Sequence, residues 1–405
     1  MRVLLVAAMV AGGVGGHVRM LARGLVAAGH RVVVACPAEV SDRFDLAATG
    51  ATVVPVEVGS GARPVHDLRA LRQLRRLATG ADVVHAHGVR AGALAALAAR
   101  TGTQLPLVVT VHNAPPTGRR TALVYGLLER VVHGRADLVL AVSPDLVDRA
   151  RARGARRVDL AVVPADLTDV VPRQRRAEAR AAVRRELGLV DGQLLLLTVG
   201  RLAAQKRTVE VVAAYQSLVE PEAGGTRARP VAAAAGATPP AVLAVAGDGP
   251  ARGDVDAQAA GGPGLVHLLG RRDDVAELLT AADVVVSGAQ WEGQPLWLQE
   301  ALGAGSVIVA TDVGGTGVVV GDAAVLVPVV EGTGSSAVAA RVAGLRHALQ
   351  EVLADEALRA GLSDRARRRA GELPSAAEAV AAAVAAYAEA GGTAYRDRPA
   401  RSSGT

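Results

Sequence analysis

The sequence predicts an α/β protein of two successive Rossmann-like, doubly wound domains facing across a cleft, and three observations predict it. Short apolar runs alternate with helix-patterned stretches, in two series. The runs are continuously apolar rather than alternating, as expected of parallel strands buried on both faces. At 405 residues the chain also exceeds what one hydrophobic core usually organises.

The first series of strands is RVLLVAA (2–8), RVVVAC (31–36), DVVHAH (82–87), LPLVVTVH (105–112) and ADLVLAVS (136–143), with helical stretches such as Arg19 to Ala28 and His66 to Ala78 between them. The βα order implies a doubly wound sheet. The opening Met1-Arg2 followed by an apolar run is similar to a signal peptide. The buried-strand reading is preferred, because the run breaks at Gly12-Gly13 and a helical pattern (Val18, Leu21, Leu25) follows at once. No other apolar run reaches the ~20 residues that span a bilayer.

The rhythm then breaks in the polar, basic stretch PRQRRAEARAAVRREL (172–187), read as a linker over 169–190 after a first domain at 1–168. A second series occupies 191–374: QLLLLTVG, AVLAVAGD, LVHLLG, ADVVVSG and SVIVATDV. The Pro/Gly/Ala-rich 221–240 reads as a flexible surface insertion. The Ala-rich 375–391 forms a last helix, and 392–405 a disordered tail. In such an architecture the ligand sits in the cleft between the domains, at the carboxyl ends of the strands.

Composition narrows the function classes. The formal charge is +6 and aromatic residues are 2% of the chain. A mild basic excess suits anionic ligands such as nucleotides, or peripheral contact with an anionic membrane. No aromatic-interleaved basic stretch suggests nucleic acid as a partner. Cys36 is the only cysteine, so neither an intrachain disulfide nor a cysteine zinc site can form, which fits a reducing cytoplasm.

Four constellations can carry chemistry. Gly12-Gly13-Val14-Gly15-Gly16-His17 follows the first strand and opens a helix, where glycines permit close backbone approach and free N–H groups favour phosphate. Its spacing is not the dinucleotide fingerprint, and position 36, past the second strand, is Cys where an acidic residue would be needed. His85, His87 and His112 stand at two strand ends; no carboxylate accompanies them at metal-ligand spacing, so no metal is expected. Gly200-Arg201 through Lys206 places two cations after the first strand of the second domain, where they can neutralise a diphosphate leaving group. Finally, in Glu292-Gly293-Gln294-Pro295-Leu296-Trp297-Leu298-Gln299-Glu300 two carboxylates can accept hydroxyl hydrogen bonds at two points of one extended ligand, with backbone N–H groups near Gly293, Gln294 and Leu296. Asp254-Val255-Asp256 matches an Asp-x-Asp metal motif but reads as surface helix.

The motifs GGVGGHV (12–18), AAGHRV (27–32), DVVHAH (82–87), TVHN (110–113), VSPDL (142–146), VGRLAAQK (199–206), AGDGP (246–250), LGRRDDV (269–275), WEGQPLWLQEALGAG (291–305) and TDVGG (311–315) resemble, in register and over nearly the whole chain, the retaining family-4 glycosyltransferases of the GT-B fold. The resemblance implies a hexosyltransferase that takes its sugar from a UDP- or GDP-linked donor, needs no metal or tightly bound cofactor, and works in cell-envelope or glycan biosynthesis. It implies that Gly13, Gly15, Gly16 and Gly200 contact the donor diphosphate or the acceptor. His112 would sit by the transferred sugar, with His17, His85 and His87 on the acceptor side. Arg201 and Lys206 would bind the diphosphate, Glu292, Gly293, Gln294 and Leu296 the sugar, and Glu300 the ribose. It further implies that the last helix crosses back onto the first domain.

The chain departs from the family pattern at Ala289, where Ser is common, at Val318, where an acid is common, and at Gln294, where Phe is common. A nucleotide-sugar epimerase of the same fold and a non-catalytic nucleotide-sugar-binding scaffold are the competing readings. The sequence names neither donor, acceptor nor oligomeric state.

Overall fold

The computed structural model describes residues 1–9, 12–59, 61, 64–99, 105–116, 118–167, 170–219 and 241–391. The segments read as a flexible insertion, 221–240, and as a disordered tail, 392–405, lie outside the described residues. The chain divides into two compact units, Met1–Pro164 with Pro374–Thr405, and Ala165–Leu373. Helix Arg176–Glu186, inside the stretch read as a linker, belongs to the second unit, where Val183 joins its core.

The first unit runs β1 (Arg2–Ala7), α1 (Gly13–Ala27), β2 (Arg31–Cys36), α2 (Ala38–Arg43), β3 (Thr52–Pro55), α3 (Pro64–Thr79), β4 (Val83–His87) and α4 (Val89–Ala98). It continues with β5 (Leu107–Val111), α5 (Arg119–His133), β6 (Leu138–Ala141), α6 (Pro144–Ala152) and β7 (Val158–Leu160). The strands form one parallel sheet ordered β3-β2-β1-β4-β5-β6-β7. The order reverses between β1 and β4, which is where such sheets bind ligands.

The second unit contains α7 (Arg176–Glu186), β8 (Leu194–Val199), α8 (Thr208–Val219), β9 (Ala241–Ala246), α9 (Arg252–Gly261), β10 (Val266–Gly270), α10 (Val275–Ala281) and β11 (Val284–Ser287). Then come α11 (Leu296–Ala304), β12 (Val307–Thr311), α12 (Thr316–Val320), β13 (Ala324–Val327), α13 (Ser335–Ala354) and α14 (Glu356–Glu372). Its parallel sheet is ordered β10-β9-β8-β11-β12-β13, with the switch between β8 and β11. Along β8, Leu196 points into the core under α8 and α13, while Leu195 and Leu197 point into the core under α10 and α11. Burial on both faces is why this strand reads as an unbroken apolar run.

The final helix, α15 (Ala376–Gly391), belongs to the first unit. It packs on α1 and adds Val380, Ala383, Ala386 and Tyr387 to that core. Gly24 of α1 allows the close approach: a Cβ added there would lie 2.3 Å from Val380 Cγ2. The two parallel sheets expected from the sequence are present. Three strands, β3, β7 and β13, were not among the apolar runs; each lies at a sheet edge, is three or four residues long and is only partly buried.

Candidate active site

In the second unit the candidate groups gather at the carboxyl ends of β8 and β11. β8 runs out at Val199, and Gly200 turns the chain at φ 142°. The 246–250 loop clamps this turn through its backbone: Leu202 N–H donates to Asp248 O at 3.0 Å and Ala251 N–H donates to Leu202 O at 2.9 Å. The approach is so close that a Cβ on Gly247 would lie 1.8 Å from Gly200 O. Arg201 is thereby held at the surface, exposed and without an ion pair among the described residues.

Lys206 ends a short 3-10 turn, and its Nζ donates to Glu292 Oε1. The two segments are also joined by Gln205 Nε2 donating to Trp291 O and Gln290 N–H donating to Gln205 O, both at 2.7 Å. From the other side, Gly315 N–H donates to Glu292 O at 3.0 Å. A Cβ on Gly314 would fall 1.9 Å from that same carbonyl oxygen, so only glycine lets the 311–315 turn reach it. Glu292 is therefore fixed through side chain and backbone, and is 7% exposed.

Pro295 caps α11 rather than occupying its first turn, and no side chain caps the helix. Its N-terminal N–H groups thus offer a positive dipole end to an anionic or hydroxyl ligand. One turn in, Glu300 lines a cavity of about 600 Å³ with Val199, Val275 and Trp297. Val199 and Trp297 also line the recess of Gly200, Arg201 and Lys206, so the two spaces adjoin. Ala289 is buried, and its carbonyl accepts from Thr311 Oγ1 at 2.6 Å. Asp254 and Asp256 flank the buried Val255 on α9, and Asp256 pairs with Arg252 at 2.7 Å.

In the first unit, the switch point collects four histidines. Strand pairing sets Ala7 beside His87 and His87 beside Thr110, α1 supplies His17, and His112 follows β5. His87 Nδ1 lies 3.1 Å from His112 Nε2, and the His17 ring stands edge-on to both at 5.7 and 5.6 Å. Burial lowers all four pKa values: to about 4 for His17 and about 3 for His85, and well below the ordinary histidine range for His87 and His112, with neighbouring imidazoles adding to the effect for the last three. The cluster is neutral at pH 7.

The four histidines differ in what they can offer. Both ring nitrogens of His85 are occupied, by Tyr387 Oη at 2.8 Å and Thr110 Oγ1 at 2.7 Å, so this residue is a structural tie between β4 and α15. His17 Nδ1 and His87 Nε2 are buried without a partner. Gly15 is accounted for by packing, since a Cβ there would lie 2.2 Å from the Phe44 ring; around Gly16 there is open space. Among the described residues no group of three or more His, Cys, Asp or Glu side chains is arranged to hold a metal ion. Thr110, Gly247 and Gly314 lie in the motifs TVHN, AGDGP and TDVGG but carried no individual role in the sequence reading, and Tyr387 lies in no motif. Tyr387 had one local signal, a lone aromatic in an alanine-rich helix.

Residues 12–166 match the family described as glycosyl transferase 4-like domain, and residues 179–369 match glycosyl transferases group 1. Phosphatidyl-myo-inositol mannosyltransferase of Mycolicibacterium smegmatis is 30% identical over 384 residues, covering 89% of this chain and 86% of that protein. The putative teichuronic acid biosynthesis glycosyltransferase TuaC of Bacillus subtilis is 30% identical over 238 residues; the match covers 58% of this chain and 54% of that relative, about half its length. Among solved structures, Anabaena Alr3699/HepE in complex with UDP superposes with a TM-score of 0.75 at 18% identity, covering 95% of this chain and 99% of that one, a likeness of fold.

Proposed function

Because the chain belongs to the family-4 glycosyltransferases of the GT-B fold, we propose that it moves a hexosyl group from a UDP- or GDP-linked sugar to a hydroxyl acceptor on a lipid, a polysaccharide or a small metabolite, with retention at the anomeric carbon. The observation that carries this reading is the Lys206–Glu292 pair beside the exposed Arg201, next to the cavity lined by Glu300. Arg201, Lys206 and the N-terminus of α11 meet the charge that develops on the departing diphosphate. Glu292, with backbone groups of Gly293, Gln294 and Leu296, holds the sugar hydroxyls, and Glu300 the ribose. The anomeric C–O bond to phosphate breaks, the acceptor oxygen bonds the same carbon on the same face, and a leaving phosphate oxygen takes the acceptor proton. The fixed cations leave no step that requires a divalent ion.

His112 is the histidine assigned to the transferred sugar. Its Nε2 is taken by His87, so Nδ1 is the edge it offers to a hydroxyl. His17 and His87 orient it and face the acceptor. Peripheral contact with an anionic membrane at the cytoplasmic face brings lipid-borne acceptors within reach.

The test is thermal unfolding with UDP, GDP and their hexose conjugates, in EDTA and in magnesium. A ligand at a hundred times its Kd stabilises the folded state by about 2.7 kcal/mol. The melting point should rise with one nucleotide, equally in EDTA, and the rise should shrink at least tenfold in ligand sensitivity in Glu300→Ala. NMR of the product should show the donor's anomeric configuration. An unmoved melt with every nucleotide, or an inverted product, contradicts the reading.

A further inference from the structure

Lys206 is followed by a residue in an unfavourable backbone conformation. Arg207 sits in the left-handed region, at φ 48° and ψ 36°. Among the described residues, Asp45 is the other non-glycine with a positive φ, and it is exposed. A short polar side chain such as aspartate visits this region through local hydrogen bonds, whereas arginine gains nothing there that glycine would not have without strain. Such outliers persist where their surroundings hold them.

Arg207 is also a joint. Its N–H donates to Ala204 O at 3.2 Å, closing the 3-10 turn that carries Lys206. Its carbonyl accepts the first bonds of α8, from Glu210 N–H at 2.9 Å and Val211 N–H at 3.2 Å. The φ and ψ of Arg207 therefore set the angle between turn and helix. Within the turn, Gln205 is bound to Gln290 and Trp291. The helix side is held by charge. Glu210 Oε1 lies 3.9 Å from Arg207 Nε, and the same carboxylate accepts from Arg341 Nε and Nη2 of α13 at 2.8 and 2.7 Å. Arg341 Nη1 in turn donates to Val330 O at 3.0 Å and Gly332 O at 2.8 Å.

Stability alone does not call for this arrangement. The Arg207 and Arg341 side chains are 9% and 5% exposed, and both turn to the Glu210 carboxylate. Arg207 Nη1 is buried without an acceptor. Desolvation and the Arg341 guanidinium pull the Arg207 pKa down, while Glu210 and Glu331 oppose them. Well-packed apolar side chains often replace a buried ion pair without loss. We propose that Glu210 is a positioning residue of the donor site. Anchored by Arg341, it pins Arg207 in the left-handed conformation and so keeps the turn at the angle at which Lys206 meets Glu292 and a donor diphosphate. This role rests on the diphosphate reading of Lys206 given above, and it requires no contact between Glu210 and the ligand.

Without the Glu210 carboxylate the joint relaxes. A nucleotide must then select the molecules whose turn is in place, and its affinity falls by the fraction that stays competent. A glycine at position 207 adopts the same φ without strain and makes Glu210 dispensable.

The experiment is calorimetric titration of the full chain with UDP and with GDP. Glu210→Gln should weaken binding of the nucleotide that wild type prefers by about tenfold, the population equivalent of left-handed strain. Arg207→Gly should bind it within about twofold of wild type, and Arg207→Gly/Glu210→Gln within about threefold. Because Glu210→Gln leaves two arginines buried, its melting point is read first. Should it not fold, Glu210→Gln/Arg341→Met takes its place, with the same loss expected and the same recovery when Arg207→Gly is added. A Glu210 that only supports the architecture gives the opposite order: the two losses add, and the double variant binds no better than Glu210→Gln. That order overturns the proposal, and so does wild-type affinity in Glu210→Gln. Both results leave the donor site standing as long as wild type binds a nucleotide. Wild type that binds neither UDP nor GDP removes the donor site and this role together.

Discussion

Replacing Lys206 with alanine perturbs stability and ligand binding together, and the structure says how much of each to expect. The Lys206 side chain is 28% exposed and that of Glu292 9%. Removing one partner of a fully buried pair costs about 3–5 kcal/mol, because the other charge is left uncompensated. An exposed pair is worth about 0–1 kcal/mol. Lys206 keeps enough solvent contact to place this pair between the limits, at about 2 kcal/mol. For a unit of this size that is a fall in melting point of about 4–8 °C. Urea unfolding at pH 7 measures it directly.

The informative control is Lys206→Met/Glu292→Gln. It removes both charges at similar volume and should recover most of the lost stability, while nucleotide stabilisation and transfer remain lost. A Lys206→Ala protein within about 0.5 kcal/mol of wild type would show that the pair does not hold Glu292 in place. A Lys206→Ala protein with full transferase activity would remove Lys206 from the diphosphate site.

Other perturbations test the parts separately. Gly314→Ala drives a Cβ against the Glu292 carbonyl, at 1.9 Å before relaxation, and should cost at least about 2 kcal/mol while abolishing nucleotide stabilisation; an unaltered site would mean that the 311–315 turn can shift freely. Tyr387→Phe leaves His85 Nδ1 buried without its partner and should destabilise the first unit by about 1–3 kcal/mol, read by urea midpoint. The histidine cluster sets a pH window. His17 and His85 fall from 6.5 to about 4 and about 3 on folding, so between those values and 6.5 the unfolded chain binds the extra protons. The stability is whole above pH 6.5 and lost as pH falls toward 4, by roughly 2 kcal/mol per histidine at pH 5. A urea midpoint for the first unit that is the same at pH 7 and pH 5 would contradict the burial of the cluster.

The fold class was legible in the chain's local patterns. Apolar runs such as LLLLTV declare strands buried on both faces, because a parallel sheet sandwiched between helices presents no wet side. The sequence also singled out Arg201, Lys206, Glu292 and Glu300 as candidates, since glycine-bounded strand ends followed by charged helix starts are local patterns; the fold sets them around two adjoining spaces in the second unit. Edge strands such as Thr52–Pro55 escaped, because one-sided pairing leaves them short and half-wet. Which residues touch was settled by the folded sheets. Lys206 and Glu292 are 86 residues apart and meet because β8 and β11 are neighbours in space. His85 turned from a candidate ligand group into a tie because a tyrosine 302 residues later reaches its ring. Gly314 owes its identity to a carbonyl in a separate loop. The physical reason is common to all three: periodicity and punctuation are written within a few residues, whereas charge pairing, tautomer-setting hydrogen bonds and steric necessity arise between segments that only the folded sheet brings together.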